Sequence, residues 1–141
     1  MLVLDASVVA EFLLASTVGV EAAERMAGHA GELHLPHLAV IETASVLRAW
    51  VRRGEVAEPR AAAALHDLSD LPAQRWPGEP LLDRAWELRD NVTAYDASYI
   101  ALAELLDAEL LTADKRLARG AAGLATCPVI TLGAGQQGSA P

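Results

Sequence analysis

Two short apolar runs constrain this chain most: MLVLD at the start and ELLTAD near residue 110, each ending at an aspartate, Asp5 and Asp114. A run of three or four residues rich in Leu, Val and Thr reads as a strand buried on both faces and feeding a helix. Strands of that kind belong to open sheets covered by helices, in which ligands bind at the carboxyl edge. Both aspartates fall on that edge.

The rest of the chain fills in the same pattern. Strands are expected at Leu2 to Leu4, Leu33 to Leu35, Glu109 to Thr112 and Val129 to Leu132. Between them the periodicity predicts helices from Ser7 to about Leu14, Val20 to Gly28, Pro36 to about Arg53 with Gly54 as terminator, Pro59 to Leu68, Leu81 to Arg89, and from Asp96 onward. A short helix follows Asp114, and Trp76, Pro77 and Gly78 read as an interrupted connection. Strands separated by helices imply right-handed crossovers and a mostly parallel sheet of four or five strands in an α/β fold. The expected domain runs over residues 1–132; the tail from Gly133 to Pro141 has too little apolar surface to fold.

Two further acids stand out. Glu42 is the only charge between Leu38 and Leu47, and a carboxylate in so apolar a stretch needs a cation or a donor. Asp96 opens a helix whose apolar residues, Tyr99, Ile100, Ala103 and Leu106, return at three- and four-residue spacing. Gathered by the fold, Asp5, Glu42, Asp96 and Asp114 make an all-oxygen cage, which selects Mg²⁺ or Mn²⁺ over zinc. His29, His34, His37 and His66 show no ligand spacing, and Cys127 has no second thiol to pair with.

The net charge of -8 argues against a general nucleic-acid coat protein, because such affinity comes from neutralised phosphates. It leaves room for a nuclease with a local basic rim. Arg48, Arg52 and Arg53 follow Glu42, and Lys115, Arg116 and Arg119 follow Asp114; Arg48, Lys115 and Arg116 are the candidates for nucleic-acid phosphate contacts. Trp50, Trp76 and Trp86 read as core or interface anchors, not base-stacking platforms. A single cysteine, no secretory leader and no apolar run of about 20 residues point to a reducing cytoplasm and no membrane span.

Three segments, LVLDASVVAEFLL, LPHLAVIETASVLRAWVRRGEV and YDASYIALAELLDAELLTADKRL, resemble the PIN-domain family, and in particular its VapC-type toxins. The resemblance implies a three-layer α/β/α fold and a metal-dependent endoribonuclease, the toxin of a type II toxin-antitoxin pair, with Asp5, Glu42, Asp96 and Asp114 at its acidic positions. It implies Ser7 and Thr112 as hydroxyls supporting those acids. It also implies an RNA substrate, a VapB-like antitoxin partner, DNA contact only through that antitoxin, and a homodimer. The chain departs from the pattern at Asp107, often Gly, where Asp tolerates a left-handed turn, and at Ser45, often Asn.

Other readings have their own signatures. Asp is a favoured helix N-cap, and Asp5, Asp96 and Asp114 all fall at expected helix starts; Glu42, inside a helix, caps nothing. A receiver-type phosphotransfer domain would pair acids near the first strand and end a late strand on Lys, whereas Lys115 follows an Asp. An inactive PIN-like binding module would keep the fold without hydrolysing RNA.

Overall fold

The computed structural model describes residues 1–133, so the expectation for the tail beyond Gly133 falls outside the described residues. Five parallel strands, β1 (Leu2–Leu4), β2 (Leu33–Pro36), β3 (Gln74–Trp76), β4 (Glu109–Thr112) and β5 (Val129–Thr131), lie in the order β3-β2-β1-β4-β5. Every neighbouring pair is parallel, with Val3 opposite His34 on one side and Leu110 on the other.

Seven helices connect them: α1 (Ala6–Leu14), α2 (Thr17–Ala27), α3 (Leu38–Arg52), α4 (Glu58–Leu68), α5 (Leu82–Glu87), α6 (Ala94–Leu105) and α7 (Lys115–Ala121). From β1 the chain moves outward to β2 and β3, then returns past them to β4 and β5. Right-handed crossovers therefore put α1 to α4 on one face and α5 to α7 on the other. The reversal lies between β1 and β4, where the sheet opens a crevice at its carboxyl edge. Asp5 is the next residue after β1, and Asp114 stands two residues beyond the end of β4.

The core is aliphatic. Leu2, Val3, Leu4, Leu110 and Leu111 are fully buried, as is α6 from Ala97 through Ala103, which explains why that helix has no polar face along its middle. Each large aliphatic side chain so buried contributes roughly 1.5–3 kcal/mol. At Gly19 a Cβ would stand 2.0 Å from the Glu11 carbonyl oxygen, so glycine is what lets α2 cross tightly over the end of α1.

Several elements differ from expectation. β3 replaces part of the expected connection through Trp76; it pairs with β2 at His34, Leu35 and Pro36, and the His37 N–H extends the pairing to the Trp76 carbonyl at 2.7 Å. α2 begins at Thr17 instead of Val20 because the Ser16 hydroxyl accepts from the Gly19 N–H. The expected helix from Leu81 to Arg89 is a 3₁₀ turn (Glu79–Leu81) running into the six-residue α5. Asp107 adopts φ +50°, the left-handed turn expected there, and Gly54 ends α3 at φ +74°. Among the described residues no single helix is long and apolar enough to cross a membrane.

Candidate active site

Asp5 is the anchor of the site. It follows β1, is 3% exposed, and caps α1 by accepting the Val8 N–H at 3.0 Å. Two hydroxyl relays fix its carboxylate. The Ala113 N–H donates to Ser7 Oγ at 3.0 Å, and that hydroxyl donates to Asp5 Oδ1 at 2.6 Å. In parallel, the Asp114 N–H donates to Thr112 Oγ1 at 2.9 Å, and Thr112 makes a short hydrogen bond to Asp5 Oδ2. Both relays start in the link from β4 to α7. Ser7 and Thr112 thus staple the ends of the two central strands together and hold one carboxylate in place.

Asp114 caps α7 through the Arg116 N–H at 2.8 Å, with the Arg116 guanidinium 4.0 Å away and largely exposed. Asp96 differs from the capping expectation. The cap of α6 is Thr93, whose hydroxyl accepts the Asp96 N–H at 3.1 Å, leaving the Asp96 carboxylate in the first turn and free of capping duty. Glu42 lies in the first half of α3, half-buried, and its Oε1 accepts a hydrogen bond from the Tyr99 hydroxyl at 3.2 Å.

The four acids feel one another. Burial pushes the Asp5 carboxyl up to about 6, against the pull of its Ser7, Thr112 and Val8 donors and with a further push from Asp114. Burial also raises Glu42, which the Tyr99 hydrogen bond lowers and Asp96, Asp5 and Asp114 raise again. Asp96 is raised by burial and by Asp114, with Arg116 acting in the opposite sense. The fold therefore brings all four sequence-selected acids into one neighbourhood. Among the described residues, however, no three His, Cys, Asp or Glu side chains converge on a point where they could hold an ion as they stand.

The basic candidates separate. Lys115 and Arg116 begin α7 beside Asp114. Arg48 lies six residues beyond Glu42, about a third of a turn round the helix, and lines a hollow of about 500 Å³ between α3 and α4 with Leu47, Val51, Arg52, Ala61 and Leu65. No ion pair joins it to any of the four acids among the described residues. Ser45 is exposed and lines a second hollow beside Glu42. Trp50 and Trp76 are half-buried, Trp76 donating to His34 Nδ1 at 3.0 Å, while Trp86 is exposed and carries the Arg89 guanidinium 4.7 Å over its ring.

Tyr99 is the residue that sequence reasoning missed. It reads as one apolar position of α6, and it is indeed 1% exposed, but its hydroxyl reaches the acid cluster. The available signal was a phenol on the apolar stripe of α6 one turn after an acid, since a buried tyrosine hydroxyl needs a partner.

The PIN domain model matches residues 2–123. Ribonuclease VapC9 of Mycobacterium tuberculosis is 44% identical over 100 residues, 71% of this chain and 77% of that protein. Ribonuclease VapC12 of the same organism is 35% identical over 119 residues, 84% of this chain and 91% of its own length. Among solved structures, a toxin-antitoxin complex from Klebsiella pneumoniae shares the fold with a TM-score of 0.61 at 19% identity, covering 93% of this chain and 97% of that one. With its five-stranded parallel sheet and its acids at the crevice between β1 and β4, the chain belongs to the PIN domain family and, within it, to the VapC ribonucleases.

Proposed function

We propose that this VapC-type toxin ribonuclease hydrolyses RNA phosphodiester bonds at the carboxylate cluster, using a divalent cation of the Mg²⁺ or Mn²⁺ class. The observation that carries this reading is that Asp5 and Glu42, buried or half-buried, have oxygen and nitrogen donors but no Lys or Arg partner among the described residues. Carboxylates so placed stay ionised together only when a cation offsets them. Their all-oxygen donor set fits a hard divalent ion, and PIN-domain nucleases generally use a divalent metal. Since no three of these side chains converge as they stand among the described residues, binding a common ion calls for side-chain rearrangement at the cluster.

In this reading Asp5, Asp96 and Asp114 bind the ion, with Ser7 and Thr112 fixing the orientation of Asp5. When bound, the ion neutralises charge that builds on the scissile phosphate and its leaving oxygen. Glu42, held by Tyr99, orients the attacking water and accepts its proton; its raised proton affinity suits that task. Lys115 and Arg116 contact RNA phosphates from the start of α7, and Arg48 has no such part. The test is cleavage of RNA by the purified chain with Mg²⁺ or Mn²⁺ and its loss in chelator. Undiminished cleavage in EDTA, in a preparation free of contaminating nuclease, removes the metal; a folded Asp96→Asn protein with wild-type turnover removes the site.

The same reading gives the chain an antitoxin partner and a second copy of itself. The hollow between α3 and α4, where Leu47, Val51 and Leu65 lie among Arg48, Arg52 and Glu58, suits the antitoxin's apolar anchors, and a basic side chain of that partner pairs with the unpartnered carboxylates and keeps metal out. Alanine replacement of the partner's basic residues that leaves inhibition intact refutes this insertion. Leu82 and Trp86, one turn apart and exposed on α5, are the surface for a homodimer. Light scattering that reports a monomer at micromolar concentration contradicts it.

A further inference from the structure

Beside the acids lies a hollow of about 410 Å³ lined by Ile41, Glu42, Ser45, Val46 and Tyr95. Two of its side chains are apolar and conspicuously exposed, Ile41 at 73% and Tyr95 at 65%. Single exposed apolar residues are ordinary. Here an aliphatic and an aromatic residue flank one concavity whose remaining wall includes a carboxylate of the site. Tyr95 also immediately precedes Asp96 in the first turn of α6, so its ring is tied to that acid by the backbone.

We infer that Tyr95 and Ile41 form a stacking seat for one unstacked base of a single-stranded RNA segment next to the scissile bond. The inference rests on the nuclease reading above and adds to it a residue that holds substrate. The chemistry of the hollow favours a base over other parts of the chain. It has no Lys or Arg on its walls, so it offers nothing to a phosphate, and Glu42 repels one. The basic residues close to the acids, Lys115 and Arg116, belong to α7 instead. A nucleobase, in contrast, is neutral and flat, and the Tyr95 ring supplies a stacking face. The exposed Ser45 hydroxyl adds a donor and acceptor for a base edge. A substrate whose phosphate reaches Asp5, Asp96 and Asp114 brings its neighbouring nucleotides within reach of this rim.

A double-mutant cycle between protein and RNA tests it. Single-stranded substrates carrying an abasic site at successive positions around the cleaved bond are compared on wild type, Tyr95→Ala and Tyr95→Phe. Base stacking of this kind predicts roughly a tenfold higher KM for Tyr95→Ala with kcat little changed, and retention by Tyr95→Phe. At one position the abasic substrate should show the same loss on wild type and no further loss on Tyr95→Ala. A binding arm uses catalytically silenced Asp5→Asn protein and RNA containing 2-aminopurine, whose fluorescence should be quenched with Tyr95 and restored with Tyr95→Ala. Unchanged KM and unchanged quenching overturn the seat, as do abasic and Tyr95→Ala penalties that simply add at every position. Loss of antitoxin affinity or of the dimer in Tyr95→Ala, with RNA binding intact, also overturns it and assigns the face to protein. If wild type quenches the probe but cleaves no RNA with Mg²⁺ or Mn²⁺, the seat stands and the nuclease chemistry falls.

Discussion

Asp5 and Glu104 are two poorly hydrated carboxylates with opposite solutions. Glu104, at the far end of α6 from Asp96, has a side chain 12% exposed, and Arg84 reaches it from α5 with Nε 2.7 Å from Oε2 and Nη2 3.2 Å from Oε1. The same guanidinium donates to Glu87 and to the Leu124 carbonyl, and Glu104 accepts the Thr126 N–H, so one ion pair ties α5, α6 and the approach to β5 together. Burial pushes the Glu104 carboxyl up, but Arg84 and Thr126 outweigh it and hold it below the usual range. Asp5 has hydroxyl and amide donors only, and burial wins. A structural carboxylate here brings its own cation. The carboxylate at the crevice has no such partner among the described residues, and the proposed metal would fill that role.

The sharpest way to break this contrast is Asp5→Asn. It keeps the cap and the size but removes the charge, and it should lower metal-supported RNA cleavage roughly a thousandfold, a loss of about 4 kcal/mol in transition-state stabilisation. Near-normal turnover in a folded Asp5→Asn protein would reduce Asp5 to a cap.

The pH dependence is the next largest effect. Asp5 binds its proton more tightly folded, at about 6, than at its ordinary 3.8. Below the ordinary value it is protonated in both states and costs nothing; between the two values ionisation increasingly favours the unfolded chain; above about 6 the full cost of about 3 kcal/mol is present. Metal-free wild type should therefore lose stability relative to Asp5→Asn as pH rises through this window, as read by denaturant unfolding in EDTA. Parallel stability curves for the two proteins would show that Asp5 is not buried as charge. At Glu104 the sign is reversed, with stability lost as pH falls.

Arg84→Ala probes the compensated partner. It leaves Glu104 without a cation and should cost about 1–2 kcal/mol, moderated by the partial exposure of Arg84. RNA cleavage well below the melting temperature should stay intact. A drop in kcat comparable to that of Asp5→Asn would mean that the two ends of α6 are not independent. Tyr99→Phe is the smallest change: loss of one hydrogen bond to Glu42 should lower kcat by roughly fivefold, about 1 kcal/mol, with RNA affinity unaltered. A change confined to KM would remove Tyr99 from the positioning of Glu42.

The sequence revealed those parts of the molecule whose signal is local. β1 and β4 announce themselves as apolar runs ending in acids, and α3 lies between Pro36, which closes β2, and Gly54. β3 was invisible because Gln74, Arg75 and Trp76 have no buried apolar pattern of their own; the segment is a strand because β2 offers it an edge. Thr93 and Asp96 are both good caps three residues apart, and only the backbone decides that Thr93 takes the role. Arg48 is close to Glu42 along the chain but turns toward α4, a matter of helix phase against a neighbour the sequence does not display. The four acids were legible because each is chemically out of place in its surroundings. Tyr99 was not, because a tyrosine in an apolar helix looks at home until its hydroxyl is traced.

The staple between Thr112 and Asp5 joins residues 107 positions apart in the chain. During synthesis β1 precedes β4, so the acid cluster has no existence until translation has passed Asp114 and the pairing of β1 with β4 has closed. The hollow between α3 and α4, by contrast, is encoded entirely before Ser69. A nascent chain thus contains every residue of the proposed antitoxin seat before it contains Asp96 and Asp114.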